Sequence, residues 1–110
     1  MSMQDRKIAL IVAADEPALF FTSIKAAESY LETIDVENYE YSAAYDPDGR
    51  LYQIGTSGKR VVITPERDQP SDPAALKALL LGFLSEIGEP GSEADSLETL
   101  IKRCERYVSA

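Results

Sequence analysis

The sequence predicts a single α+β domain over residues 1–110, built from a small, mostly antiparallel sheet of four or five strands with three helices packed on it. Three observations support this prediction. Apolar residues alternate with polar ones in the middle of the chain, they recur at helical spacing in the last third, and no shift in composition marks a domain boundary. Because one-sided alternation is typical of an antiparallel sheet, we expect the helices to cover one face only.

The first third of the chain predicts a buried strand followed by a helix. The continuous apolar run at 8–14 (IALIVAA) fits a strand in the middle of a sheet, and 18–21 (ALFF) is a second short apolar segment. Either Thr22 or Ser23 can cap a helix at its N-terminus, and apolar residues then recur at helical spacing. We expect this helix at about 24–33.

The middle third predicts an antiparallel meander of three strands. The tyrosines occupy alternate positions at its start, which places Tyr39, Tyr41 and Tyr45 on one face of the first strand. Turns and further strands follow in this order: a turn at 46–49 (DPDG), a strand at 50–55, a turn at 55–58 (GTSG) and a strand at 59–64.

The last third predicts two helices. Asp72 can cap the first, Pro73 fits its first position, and an apolar stripe continues until Gly88. Asp95, with Glu98 three residues later, resembles the capping box of a final helix. The apolar residues of this helix are Leu97, Leu100, Ile101, Cys104 and Val108.

Composition excludes several classes of site and favours one class of partner. The chain has no histidine and one cysteine, so an internal disulfide and the zinc sites that need several Cys and His ligands are excluded. A net charge of −8 disfavours nucleic acid and anionic membranes as partners and favours a basic protein. A lone cysteine indicates a reducing compartment, and we expect the cytoplasm. Arg6 and Lys7 before the first apolar run mimic a secretion signal, but the run is at the short limit for one, and a buried strand is favoured.

The DPDG segment at 46–49 raises the question of an ion site. An EF-hand calcium loop needs an oxygen ligand at its fifth position and a glutamate at its twelfth. Counted from Asp46, these positions are Arg50 and Ser57, so the test fails. Asp, Pro and Gly in this order are typical of a type I turn, and we interpret the segment as a turn. No metal or other cofactor is predicted.

The sequence offers no catalytic constellation. Without histidine, a Ser or Cys nucleophile lacks its commonest base, and Cys104 lies in an apolar helical stripe where a thiol usually packs as a small hydrophobe. Phosphate-binding glycine motifs are absent from the sequence, and GTSG at 55–58 is too short to count as one. We therefore expect a protein that is not an enzyme, with no catalytic residues.

Tyrosines and acids crowd one stretch and form the candidate site for a partner. Tyrosine is enriched in binding hot spots because it joins a large apolar area to a polar tip. The alternative is that these rings lie on the buried face of the sheet, which is commoner. The candidate partner-binding residues are Glu37, Tyr39, Glu40, Tyr41, Asp46, Asp48 and Tyr52. A second acidic stretch lies at 86–98.

The stretch from 20 to 51 also resembles a group of small bacterial proteins. Their pattern is approximately F-x-S-x-x-x-A-E-x-Y-L-E-x-x-D-V-E-N, then a strand, then Y-D-x-x-G-R-L; this chain has FTSIKAAESYLETIDVEN and YDPDGRL. It departs from the pattern in the tandem Tyr39-Glu40-Tyr41, where glycine is expected. Proteins of this group are associated with the immunity partners of polymorphic bacterial toxins. The resemblance implies an inhibitor that neutralises a cognate toxin by occluding it.

Three hypotheses follow from the sequence. The first is a non-enzymatic acidic binding module, which the resemblance makes an immunity protein. The second is an interaction domain that associates with itself through a sheet edge or the last helix. The third is a small hydrolase or a ligand-binding protein that uses carboxylates in a pocket.

Overall fold

A computed structural model, which describes residues 7–15 and 17–110, has one five-stranded sheet with helices on both faces. The strands are β1 Leu10–Ala13, β2 Ala18–Phe21, β3 Ala43–Tyr45, β4 Leu51–Ser57 and β5 Arg60–Pro65. The helices are α1 Ile24–Tyr30, α2 Thr33–Glu37, α3 Pro73–Glu86 and α4 Leu97–Cys104, with a 3-10 turn at Glu105–Tyr107. The strand order is β2-β1-β3-β4-β5 and every neighbouring pair is antiparallel, which confirms the α+β prediction. Residues 1–6, including Arg6 of the signal-like segment, lie outside the described residues.

The sheet is covered on both faces, so the prediction of one covered face is wrong. Helices α3 and α4 pack against one face of the sheet, where Phe20 meets the ring of Phe83 edge-on at 4.8 Å. Helix α1 packs against the other face through Ala27 and Leu31. Strand β1, which lies between β2 and β3, is buried on both sides, and this explains why its sequence is continuously apolar instead of alternating.

Two segments of the first third differ from the prediction. The short apolar segment at 18–21 is strand β2, which pairs with β1 and brings the sheet to five strands. The single helix expected at 24–33 is two helices, because Leu31 takes an extended conformation (ψ 148°) that buries its side chain. The helical spacing continues to Ile34, but Ile34 is 58% exposed and finds no core to pack on.

The prediction for α3 is confirmed in detail, whereas that for the start of α4 is not. The Asp72 carboxylate accepts the N–H of Ala75 at 3.0 Å, and Pro73 is the first helical residue. Helix α4 is capped by Ser96, which accepts the N–H of Thr99 at 3.1 Å. Asp95 instead binds the guanidinium of Arg103 at 2.8 Å, so this carboxylate holds the α3–α4 connection in place.

Both outer edges of the sheet carry contacts that bear on self-association. At the β2 edge, the N–H of Ser109 donates to the carbonyl of Phe20 at 2.8 Å. The N–H of Thr22 donates to the carbonyl of Ala110, also at 2.8 Å. At the β5 edge, the Glu28 carboxylate accepts the N–H of Ile63 at 2.8 Å. Because strand pairing between copies needs free groups at such an edge, these contacts disfavour a dimer formed through β2 or β5.

No helix in the described part of the chain combines the length and apolar character needed to cross a membrane.

Candidate functional site

The DPDG segment is a turn that is held by its own first aspartate. The Asp46 carboxylate accepts the N–H groups of Asp48 and Arg50, each at 2.9 Å, and the Asp46 carbonyl accepts the N–H of Gly49 at 2.9 Å. Gly49 has a φ of +89°. The interpretation as a turn is therefore confirmed, and Asp46 has a structural task. Among the described residues, no group of three or more His, Cys, Asp or Glu side chains is arranged to hold a metal ion.

The candidate residues in the DPDG turn lie apart from the candidate residues around Tyr39. Asp48 lines a cleft of about 450 Å³ whose other wall is α4, with Glu98 and Lys102. Glu37, by contrast, ends α2, and Glu40 lies between α2 and β3. The two groups are therefore at opposite ends of β3. The acidic stretch at 86–98 belongs to the end of α3, the start of α4 and their connection, so it is also separate from α2.

The prediction that Tyr39, Tyr41 and Tyr45 share one face is wrong. Tyr45 is buried against α3 and α4, whereas Tyr41 is half-buried against the opposite cluster, together with Tyr52. The alternation does not hold because the strand begins only at Ala43. Burial, and secondly the negative charge of Asp72, raise the pKa of Tyr45. The hydroxyl of Tyr41 donates to Asp35 at 3.3 Å and ties this ring to α2.

Tyr39 differs from the other tyrosines because its side chain is 89% exposed. Its φ of +60° is the left-handed conformation, and Tyr39 is the sole non-glycine residue in the described part of the chain that adopts it. The N–H of Tyr39 donates to the main-chain carbonyl of Val36 at 3.1 Å, and the N–H of Glu40 donates to the main-chain carbonyl of Asp35 at 3.0 Å. This pair of bonds is the Schellman motif that ends a helix, and Tyr39 occupies the position where glycine is usual.

The surface around Tyr39 combines exposed apolar side chains with carboxylates. Ile34 and Tyr30 are 58% and 50% exposed, and the acidic side chains Glu32, Glu37 and Glu40 are exposed among them. No lysine or arginine occurs between Lys25 and Arg50. We call the six exposed residues Tyr30, Glu32, Ile34, Glu37, Tyr39 and Glu40 the α1–α2 surface. Ile34 was missed as a candidate because its helical spacing was attributed to the core, and Tyr30 was not singled out in the sequence.

Burial affects the side chains that the catalytic and small-ligand hypotheses would need. Burial raises the pKa of the Cys104 thiol to about 12, which keeps the thiol protonated and unreactive at neutral pH. The described part of the chain contains no buried side-chain polar atom without a hydrogen bond. The small-ligand hypothesis stays a prediction, because the cleft beside α4 is lined by charged side chains that include Asp48, Glu98 and Lys102.

The chain was compared with protein-family models, with curated proteins and with solved structures. None of the three comparisons finds a match.

Proposed function

We propose that this protein is a non-catalytic module of the cytoplasm that binds a basic protein through the α1–α2 surface, as an immunity protein binds the toxin that it neutralises. The observation that carries the proposal is Tyr39, an exposed aromatic residue held in the left-handed conformation at the end of α2.

Folding alone does not account for a tyrosine at this position. The left-handed conformation costs a residue with a side chain about 1–2 kcal/mol, and glycine takes it without that cost. The Tyr39 ring is 89% exposed, so little burial offsets the cost. Strained residues that the surrounding structure holds in place cluster at functional sites, and tyrosine is enriched in binding hot spots. A role in binding would explain why the strain is kept.

The charge distribution supports a basic partner. The net charge of the chain is −8, and the α1–α2 surface contributes three exposed carboxylates without a neighbouring basic residue in the sequence. Such a field accelerates the encounter with a positively charged protein and repels nucleic acid. The resemblance of residues 20–51 to immunity-type proteins supports the same function, with a toxin as the partner.

Replacing Tyr39 by glycine tests the proposal, because folding and binding should respond in opposite directions. We expect Tyr39→Gly to raise the free energy of unfolding by about 0.5–1 kcal/mol, since glycine relieves the left-handed strain. We expect the same variant to lose the partner. Urea unfolding measures the first effect. Capture from lysate of the source organism by the tagged protein, with retained proteins identified by mass spectrometry, measures the second.

Tyr39→Phe is the matched control, because it keeps both the strain and the ring. It should capture the same basic protein as the wild type. If the glycine variant retained that protein equally well, Tyr39 would have no part in binding and the proposal would lose its main support.

Reversing charges on the α1–α2 surface tests the electrostatic part of the proposal. We expect Glu37→Lys with Glu40→Lys to slow association with the captured protein by about tenfold at low salt, and to flatten the salt dependence. The control is Asp48→Lys with Glu98→Lys. This pair changes the net charge equally, but its residues line the cleft beside α4 and not the α1–α2 surface. Association rates from surface plasmon resonance across a salt series compare the pairs. Equal slowing by both pairs would show that net charge acts without this surface.

A further inference from the structure

Part of β4 has a neighbouring strand on one side only. Strand β3 pairs with β4 at Leu51 and Tyr52 alone, whereas β5 pairs with β4 from Tyr52 to Ser57. Residues 53–57 of β4 therefore extend beyond the end of the pairing with β3. This inner edge is distinct from the outer edges at β2 and β5, which carry the contacts described above.

The main-chain groups on this inner edge can be assigned from the ladder. Ile63 of β5 lies opposite Ile54 of β4, and the N–H of Ile63 donates to Glu28 instead of to β4. Ile54 and Ile63 are therefore a pair without hydrogen bonds between them. In such a pair of an antiparallel ladder, the main-chain N–H and C=O groups of each residue point away from the other strand. The N–H and C=O of Ile54 therefore point away from β5, and by alternation those of Thr56 do too. They face the side where the described chain places no strand.

A cleft lies beside the start of this edge. It has a volume of about 350 Å³, it lies between residues 41–43 and residues 51–54 of β4, and Glu66 lines it. A neighbouring hollow of about 300 Å³ is also lined by Val62 and Thr64 of β5, so it lies over the face of the β4–β5 hairpin and not beside the edge. Space for a main chain is therefore present next to Ile54.

We propose that an extended, basic segment of the protein partner adds to the inner edge of β4 as a further strand. Its main chain would pair with Ile54 and Thr56, the mode in which an exposed sheet edge binds a peptide. Its basic side chains are favoured by Glu66 in the cleft and by the net charge of −8. The inference rests on the proposed function. The loop that carries Tyr39 leads into residues 41–43, which line the cleft, so strand addition specifies how the same partner binds.

Amide hydrogen exchange tests the geometry. In the free protein, the amides of Gly55 and Ser57 should be protected by β5, while those of Ile54 and Thr56 should exchange quickly. The probe is a ten-residue peptide that alternates lysine and valine, and its binding should protect Ile54 and Thr56. Binding without this protection, or no binding at millimolar peptide, would overturn the inference. Protection that grows with protein concentration alone would assign the edge to a second copy of the chain and overturn it as well.

A peptide that alternates glutamate and valine tests the preference for a basic segment. It should bind at least about tenfold more weakly, because it meets carboxylates of the same sign. Equal affinity for the two peptides would overturn the choice of a basic occupant.

Thr56→Pro tests the pairing directly, because proline removes the N–H that points away from β5 and leaves the bonds to β5 intact. We expect it to weaken binding of the lysine–valine peptide by about tenfold. Thr56→Val, which keeps the N–H, should bind as the wild type does. If Thr56→Pro bound the peptide normally, strand addition would be overturned. A captured basic protein that still required Tyr39 would then leave the proposed function standing.

Discussion

Gly49→Ala is expected to destabilise the fold by about 2–5 kcal/mol, a large part of the stability of a small domain. Gly49 has a φ of +89°, and an added Cβ would lie 2.6 Å from the Cα and 2.7 Å from the nitrogen of Pro73. Both contacts are with main chain, so the DPDG turn would have to move away from α3. The Gly49 carbonyl also accepts the N–H of Asp72 at 2.8 Å, and this movement would stretch that bond.

Gly58→Ala separates the two causes. Gly58 also has a positive φ, +61°, but an added Cβ there would have no heavy atom within 4 Å. We expect the strain of the left-handed conformation alone to lower the free energy of unfolding of this variant, by about 1 kcal/mol. Urea unfolding of both variants gives the comparison. If the losses were equal, the close approach of the turn to α3 would contribute nothing, and the turn would be held by its local hydrogen bonds alone.

The elements that sequence predicts well are those whose signals are local. Helix α3 has a capping Asp72, a proline at its first position and a terminating Gly88, and all three act as expected. The DPDG turn is likewise determined by its own residues. The two-sided sheet could not be predicted in this way, because it depends on α1 folding back over strands that are distant in the chain.

The candidate site was predicted only in part, for a similar reason. Tyr39 and its acidic neighbours stand out in the sequence through their residue types alone. The strain at Tyr39 depends on α2 ending at Glu37, and the helical spacing from 24 to 34 conceals both that end and the exposure of Ile34. Asp46 and Tyr52 were included as candidates, but one holds a turn and the other packs partly in the core.

Alkaline pH is expected to destabilise the protein, and the buried thiol of Cys104 should contribute to this loss. Burial raises the pKa of this thiol from its ordinary value near 9 to about 12. Above pH 9 the unfolded chain releases the proton while the folded chain keeps it, so the free energy of unfolding falls as the pH rises. The contribution of Cys104 is complete below pH 9 and declines by about 1.4 kcal/mol per pH unit, to a loss of about 4 kcal/mol near pH 12. Tyr45, whose pKa is raised by burial and by Asp72, acts in the same direction at a higher pH.

Cys104→Val and Tyr45→Phe assign the two contributions, since each keeps an apolar side chain and removes the titrating group. Urea unfolding between pH 8 and 11 should show a flatter decline for Cys104→Val from about pH 9, and for Tyr45→Phe only from about pH 10. If Cys104→Val declined as steeply as the wild type, the thiol would not be protected from water in the folded state. The same result would mean that Cys104 could react as a nucleophile, because the burial that raises its pKa is also what makes the thiol unreactive.

The buried thiol gives one more expected result. Native Cys104 should react with a thiol reagent at pH 8 only as fast as the protein unfolds.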